Sequence, residues 1–132
     1  MRRRLLAATA ALWTGIGAMP ALAADPLVGL WQTQPDAGAY AHVEIKPCGA
    51  AFCGTIKKSF DASGEIRSPN VGKQLVRNMA PQGGGKYAGQ VWRPSNDKVY
   101  TGKIELSGTR MKLSGCVAGG LFCSSQSWQR VK

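Results

Sequence analysis

The sequence predicts an all-β fold, in which about eight antiparallel strands run up and down and close into a barrel. Three observations carry this expectation. Beyond residue 24 no apolar stripe of helical period has room to form. The chain holds 17 Gly, and all but Gly15 and Gly17 lie past that point, interrupting every few residues. In place of such stripes, short alternating or β-branched runs are separated by clusters of Gly, Pro, Asn, Asp and Ser. Successive runs also pair as hairpins that keep one face apolar. That describes a meander, and closing a meander removes its exposed edges.

The first element stands outside that domain. Met1-Arg2-Arg3-Arg4 precedes an apolar run from Leu5 to Ala24 without an acidic residue, and Ala21-Leu22-Ala23 is a small-x-small cleavage pattern. Residues 1–23 therefore read as a signal peptide cut after Ala23, with Ala24 the neighbouring alternative. An uncleaved anchor is the competing reading, which the small residues and Pro20 oppose. Residues 24–132 form one domain. The chain carries 17 Lys and Arg against 7 Asp and Glu, a formal +10, and loss of the three leader arginines lowers this to +7.

The eight strands are expected at about 27–33, 40–48, 53–60, 74–79, 86–93, 98–106, 109–116 and 124–131. Asp61 to Gly72, polar and containing Ser63-Gly64 and Pro69, reads as a loop. Three hairpin registers follow from keeping like with like on each face. Setting Cys48 opposite Cys53 puts Glu44 opposite Lys57 outside and Ile45 opposite Ile56 inside. A two-residue turn at Ser107-Gly108 sets Ile104 opposite Met111 and Glu105 opposite Arg110. Setting Cys116 opposite Cys123 places Met111 beside Trp128 and Lys112 beside Ser127.

Those registers bear on the four Cys. Structural zinc uses pairs separated by two to four residues, and a redox pair uses Cys-x-x-Cys. Cys48-x4-Cys53 and Cys116-x6-Cys123 fit neither pattern well. In an exported chain they read as two disulfides, with the local pairing Cys48–Cys53 and Cys116–Cys123, each clamping its own hairpin, preferred over the two crossed connectivities.

The motifs also resemble a known family. Leu30-Trp31, then Val43-Glu44-Ile45-x-Pro47-Cys48-Gly49 with Cys53-Gly54-x-Ile56, resemble the start of the bacterial secreted domain of unknown function 2147. The likeness continues through Tyr87-x-Gly89, Val91-Trp92-x-Pro94 and Lys98-x-Tyr100. It ends at Gly115-Cys116-Val117-x-Gly119-Gly120-Leu121-Phe122-Cys123 and Gln126-x-Trp128-x-Arg130-Val131, the most specific block. Asp97 stands where that family has a turn glycine, and Asp61 to Asn70 match loosely. The resemblance brings no activity, substrate or catalytic residue. Gly29-Leu30-Trp31 is also similar to the Gly-x-Trp of calycin (lipocalin-like) barrels, which implies Arg130 packed over Trp31 as a plug at one barrel end.

The candidate chemistry is sparse. His42 is the one His, and a catalytic reading makes it a base oriented by Glu44. The register, however, sets that stripe outside, beside an ion pair. A nucleophile elbow, a second His for a metal and a phosphate-cradling Gly loop are all missing. We expect no enzyme, no cofactor and no metal site. The interior would be lined by Tyr87, Val91, Tyr100, Ile104, Met111, Leu113, Gln126 and Trp128, with Trp31 and Arg130 completing the set. Eight strands enclose either a filled core or one small ligand. Inward Gly89, Gly102 and Gly115 admit a cavity or close strand curvature alike. Trp92, with Val99, falls on the outer face, either as a candidate partner contact or covered by a neighbouring loop.

The basic residues are scattered, and no nucleic-acid-binding signature accompanies them. The expected function is a non-catalytic periplasmic or secreted barrel that binds a small apolar ligand inside or an anionic envelope component outside. A membrane enters only as a peripheral surface. The alternatives are a protein-interaction module, such as a hydrolase inhibitor, and an enzyme using His42.

Overall fold

The structure, a computed structural model, describes residues 25–132. The expected leader and its cleavage point lie outside the described residues. Nine strands follow in order: β1 Gly29–Gln32, β2 Tyr40–Cys48, β3 Ala51–Asp61, β4 Gly64–Ile66, β5 Gln74–Gly83, β6 Lys86–Arg93, β7 Lys98–Ser107, β8 Arg110–Val117 and β9 Phe122–Arg130. All pairings are antiparallel. Sheet order runs β2-β1-β9-β8-β7-β6-β5-β3-β4, and β2 also pairs with β3. Eight strands thus close into a barrel, and β4 lies beside the far end of β3 as a flap.

That flap corrects the expectation of a plain loop over 61–72. Gly64 pairs with Asp61 and Ile66 with Ser59. The turn between them is held by the Asp61 carboxylate, which accepts from the Ser63 amide at 2.8 Å and its hydroxyl at 2.5 Å. β5 is longer than expected, reaching Gly83. Pro81 argues against a strand there, yet its missing N–H falls in a stretch where the register with β6 already slips.

The Cys116–Cys123 hairpin has the expected register, with Met111 opposite Trp128 and Lys112 opposite Ser127. The other two are shifted by two residues. Cys48 pairs with Ala51 around the two-residue turn Gly49-Ala50, so Val43 faces Ile56 and Glu44 faces Thr55. Gly49, at φ 70°, supplies the left-handed residue that such a tight turn needs. Ser107 pairs with Arg110, which puts Gly108 (φ 60°) and Thr109 in the turn and sets Ile104 opposite Leu113. A two-residue shift preserves which side chains point inward, so the assignment of faces stands although the partners change. Glu44 still reaches Lys57, diagonally, at 3.6 Å, and also Lys46 at 3.6 Å.

Both expected disulfides are present. The barrel interior is one hydrophobic cluster, in which Trp31, Trp128, Val43, Ile45, Val76 and Met79 are wholly buried. Below mid-height the packing is tight because the backbone itself moves in. Gly89, Gly102 and Gly115 lie side by side across β6, β7 and β8. β5 bulges against this row at Asn78, where φ is 49°. A Cβ on Gly89 would fall 2.4 Å from the Asn78 carbonyl oxygen, and one on Gly102 would fall 2.6 Å from Met79 Cε. These two glycines serve strand curvature and a filled base.

Candidate functional site

The two ends of the barrel differ in side-chain size, and that difference makes the site. Inward positions near the base carry Phe52, Met79, Ile104 and Met111, all buried. At the other end the corresponding strands present Ala41, Ser59, Gly115 and Ser124. Small side chains cannot fill an eight-stranded ring. A cavity of about 530 Å³ remains there, open to solvent. Its size falls within the range of small-molecule sites.

The base is closed by the residues entering β1. Leu27 is fully buried beneath it. The Asp25 carboxylate accepts from the Leu27 amide at 2.9 Å and from the Tyr87 hydroxyl at 2.5 Å. Burial, together with this hydrogen bond and the adjacent carboxylate charge, raises the Tyr87 pKa far above the usual tyrosine range. The Trp31 indole donates to the Leu27 carbonyl at 3.0 Å. Arg130 lies over the Trp31 ring, 4.5 Å from its centroid, and donates to the carbonyls of Val28 (3.1 Å) and Pro26. Gly29 is needed for this contact, since a Cβ there would stand 2.3 Å from Arg130 Nη1. The plug implied by the Gly-x-Trp likeness is therefore built as expected.

The expected lining residues divide between the two ends. Val91, Tyr100, Leu113, Gln126 and Trp128 surround the cavity. Trp31, Tyr87, Ile104, Met111 and Arg130 belong instead to the packed base, because the glycine row and Met79 fill the space between them and the mouth. Gln126, the polar group expected inside, accepts the Trp128 indole N–H at 2.5 Å. Trp92 is corrected: it is 7% exposed and turned toward the mouth, so it offers no surface patch. Its indole donates to Asp97 Oδ1 at 2.8 Å, and Lys73 lies 5.4 Å from its ring centroid. Asp97 sits at φ 54°, in the left-handed region that favours glycine, and its carboxylate holds the indole.

The upper wall and rim come largely from segments whose sequence carries no strand alternation. Gln34, Asp36 and Ala39 arrive from the β1–β2 connection, Tyr40 stands at the start of β2, and Ser68 and Asn70 come from the β4–β5 connection. The first strap is tied down by Gln34, whose Oε1 accepts from the Ser127 amide at 2.8 Å. Leu75 and Arg93 complete the wall. Leu75 sits on a strand that was expected, but the β5 bulge hides which of its residues face inward. Apolar groups (Ile56, Leu75, Val91, Leu113, Trp128) thus lie below, and hydroxyl, amide and charged groups lie at the entrance.

His42 is not part of this cavity. Its Nε2 lies within hydrogen-bond distance of Gln32 Oε1, at 3.0 Å. The ring tilts against Phe60 at 4.6 Å, and Phe60 stacks on Tyr40 at 4.8 Å. Burial, reinforced by the Lys58 charge and opposed by Glu65, lowers the His42 pKa below 6.5. Glu44 is engaged with Lys46 and Lys57 at 3.6 Å each rather than orienting the imidazole. Among the described residues no three His, Cys, Asp or Glu side chains gather as a metal site.

Comparison with known proteins agrees with this architecture. A family model described as "Uncharacterized protein conserved in bacteria (DUF2147)" matches residues 29–130. No curated protein matches the chain. Among solved structures, the fold is similar to that of protein HP1028 from Helicobacter pylori, described as belonging to the lipocalin family. The TM-score is 0.67 at 16% identity, covering 83% of this chain and 85% of that one. At that identity the likeness speaks for the fold.

Proposed function

The chain belongs to the bacterial DUF2147 family and folds as a lipocalin-like barrel, and on that premise we propose that it is a non-catalytic carrier, exported from the cytoplasm, that holds one small and mainly apolar molecule in the barrel mouth. The observation that carries this reading is the cavity itself: about 530 Å³, with an apolar floor and a polar entrance, above a base too tightly packed to share it. Val91, Leu113 and Trp128 would contact the apolar body of the ligand. Tyr100 and Arg93 would face its polar end. Export is supported by the two disulfides, which persist in oxidising compartments.

Native mass spectrometry of detergent-free protein from its own cells tests the reading. The expected spectrum shows a one-to-one adduct that organic extraction removes and that a long-chain fatty acid replaces. A bare polypeptide mass that takes up no added fatty acid would falsify the carrier.

A further inference from the structure

The β8–β9 turn carries the most exposed large apolar side chains among the described residues. Leu121 is 74% and Phe122 64% exposed, and Val117 and Val99 are also open to solvent. Val117 and Phe122 lie together as a cross-strand pair, whereas Val99, in line with Thr101 opposite Cys116, falls on the other face of the sheet. Strand alternation puts Val117 in line with Gly115, and Phe122 in line with Ser124, both cavity-lining residues. The patch is thus an apolar lip on the cavity mouth. Its shape is held in place: Cys116–Cys123 clamps the hairpin, and Ala118, Gly119 and Gly120 follow one another at positive φ. The Leu121 amide donates to the Val117 carbonyl at 3.1 Å. In this turn Leu121 and Phe122 point away from the barrel into solvent.

Cations surround the lip. The Lys103 ammonium lies against Gly120, and Arg93 and Lys98 face each other across β6 and β7 at the same end. Among the described residues the ion pairs join Glu44 to Lys46 and Lys57, and Glu65 to Lys58, so these three cations have no carboxylate partner. The nearby acid, Asp97, is held by the Trp92 indole. A second copy of the chain on this lip would bring like charges together, whereas an anionic phospholipid surface complements both the apolar tip and its basic surround.

We propose that the β8–β9 turn is a membrane-docking lip, inserting Leu121 and Phe122 into the interface of an anionic bilayer while Lys98 and Lys103 meet its phosphates. This holds whether or not the cavity carries a ligand, so its failure and the carrier's failure are separable. Docking would also place the cavity mouth against lipid.

The test is co-sedimentation of the oxidised protein with phosphatidylcholine vesicles, with and without phosphatidylglycerol. Binding is expected only to the anionic vesicles, weakening with salt. Leu121→Ser with Phe122→Ser should weaken it on the order of tenfold, as should Lys98→Glu with Lys103→Glu. An unchanged thermal melt verifies the fold of each variant. Phe122→Trp adds an exposed reporter beside the buried Trp31, Trp92 and Trp128, and its emission should shift to the blue on anionic vesicles alone. The proposal is overturned if the wild type ignores anionic vesicles, if the Leu121/Phe122 variant binds equally well, or if these changes instead dissolve a dimer in sedimentation.

Discussion

Substituting alanine at Gly89, Gly102 and Gly115 makes the same chemical change at three neighbouring positions of one transverse row, yet the structure requires three different outcomes. At Gly89 the new methyl would meet two main-chain oxygens, Asn78 O at 2.4 Å and Arg77 O at 2.6 Å. A favourable C–H···O contact has its carbon and oxygen about 3.3 Å or more apart. The bulge of β5 must therefore retreat by the better part of an ångström, a cost of roughly 3 kcal/mol for core overpacking. Reduced unfolded-state entropy returns only about 0.5 kcal/mol. At Gly102 the nearest atom, Met79 Cε at 2.6 Å, is the end of a flexible side chain, although Gln90 C follows at 3.0 Å. About 1–2 kcal/mol is expected there. At Gly115 nothing comes closer than Val91 Cγ1 at 3.4 Å, because the cavity lies beyond. That variant should be neutral, or more stable by about 0.5 kcal/mol. Urea unfolding followed by tryptophan fluorescence reads all three as shifts in midpoint at constant slope. For a domain of this size, Gly89→Ala should lower Tm by about 10 °C or more. Three equal effects, or a costly Gly115→Ala, would refute the division into packed base and open mouth.

Further outcomes follow from the same contacts. His42, the one His in the chain, should titrate by NMR with a midpoint below 6.5, since burial disfavours its charged form. A folded pKa below the unfolded one makes stability complete above pH ~6.5, falling as pH drops through the lowered folded value. His42→Gln should flatten that part of the profile, and a midpoint above 6.5 would contradict the assignment. Arg130→Ala removes the contact over Trp31 and two carbonyl hydrogen bonds, and should cost about 2–3 kcal/mol in urea melts. Arg130→Lys should restore little of this, because an ammonium cannot lie flat on the indole and reach both carbonyls. Replacing Cys48 and Cys53 together by Ala opens a bridge between residues five apart. It should cost roughly 2 kcal/mol without changing the barrel's circular dichroism.

The parts of this fold that were legible in the sequence are those set by periodicity. Alternation over Tyr40–Cys48 and Lys86–Arg93 gave strand limits and inward faces directly, and the sulfur pairs followed from hairpins that each close on themselves. Register was less legible. Ser107-Gly108 and Gly108-Thr109 are both plausible two-residue turns, and either keeps Ile104 and Met111 inside. The site was half legible for a further reason. Val91, Leu113 and Trp128 sit on regular strands, whereas Gln34, Asp36, Ser68 and Asn70 reach the cavity through connecting straps whose course depends on side-chain hydrogen bonds such as Gln34 to Ser127. Trp92 was misplaced because simple alternation turns it outward, away from the cavity wall it joins beside Pro94 and Ser95. The three inward glycines are visible in the sequence, but whether they leave a void or serve curvature depends on the position of β5.

The central claim, a ligand cavity confined to the mouth, is tested most directly by titrating delipidated protein with a fluorescent fatty-acid probe while exciting the tryptophans. Trp128 on the cavity wall should transfer energy to one bound probe per chain. Gly115→Val, whose added carbons would project into the cavity from beside Val91 and Tyr100, should abolish the transfer while leaving the urea midpoint near its wild-type value. Equal binding by the valine variant, or no saturable transfer in the wild type, would contradict the claim.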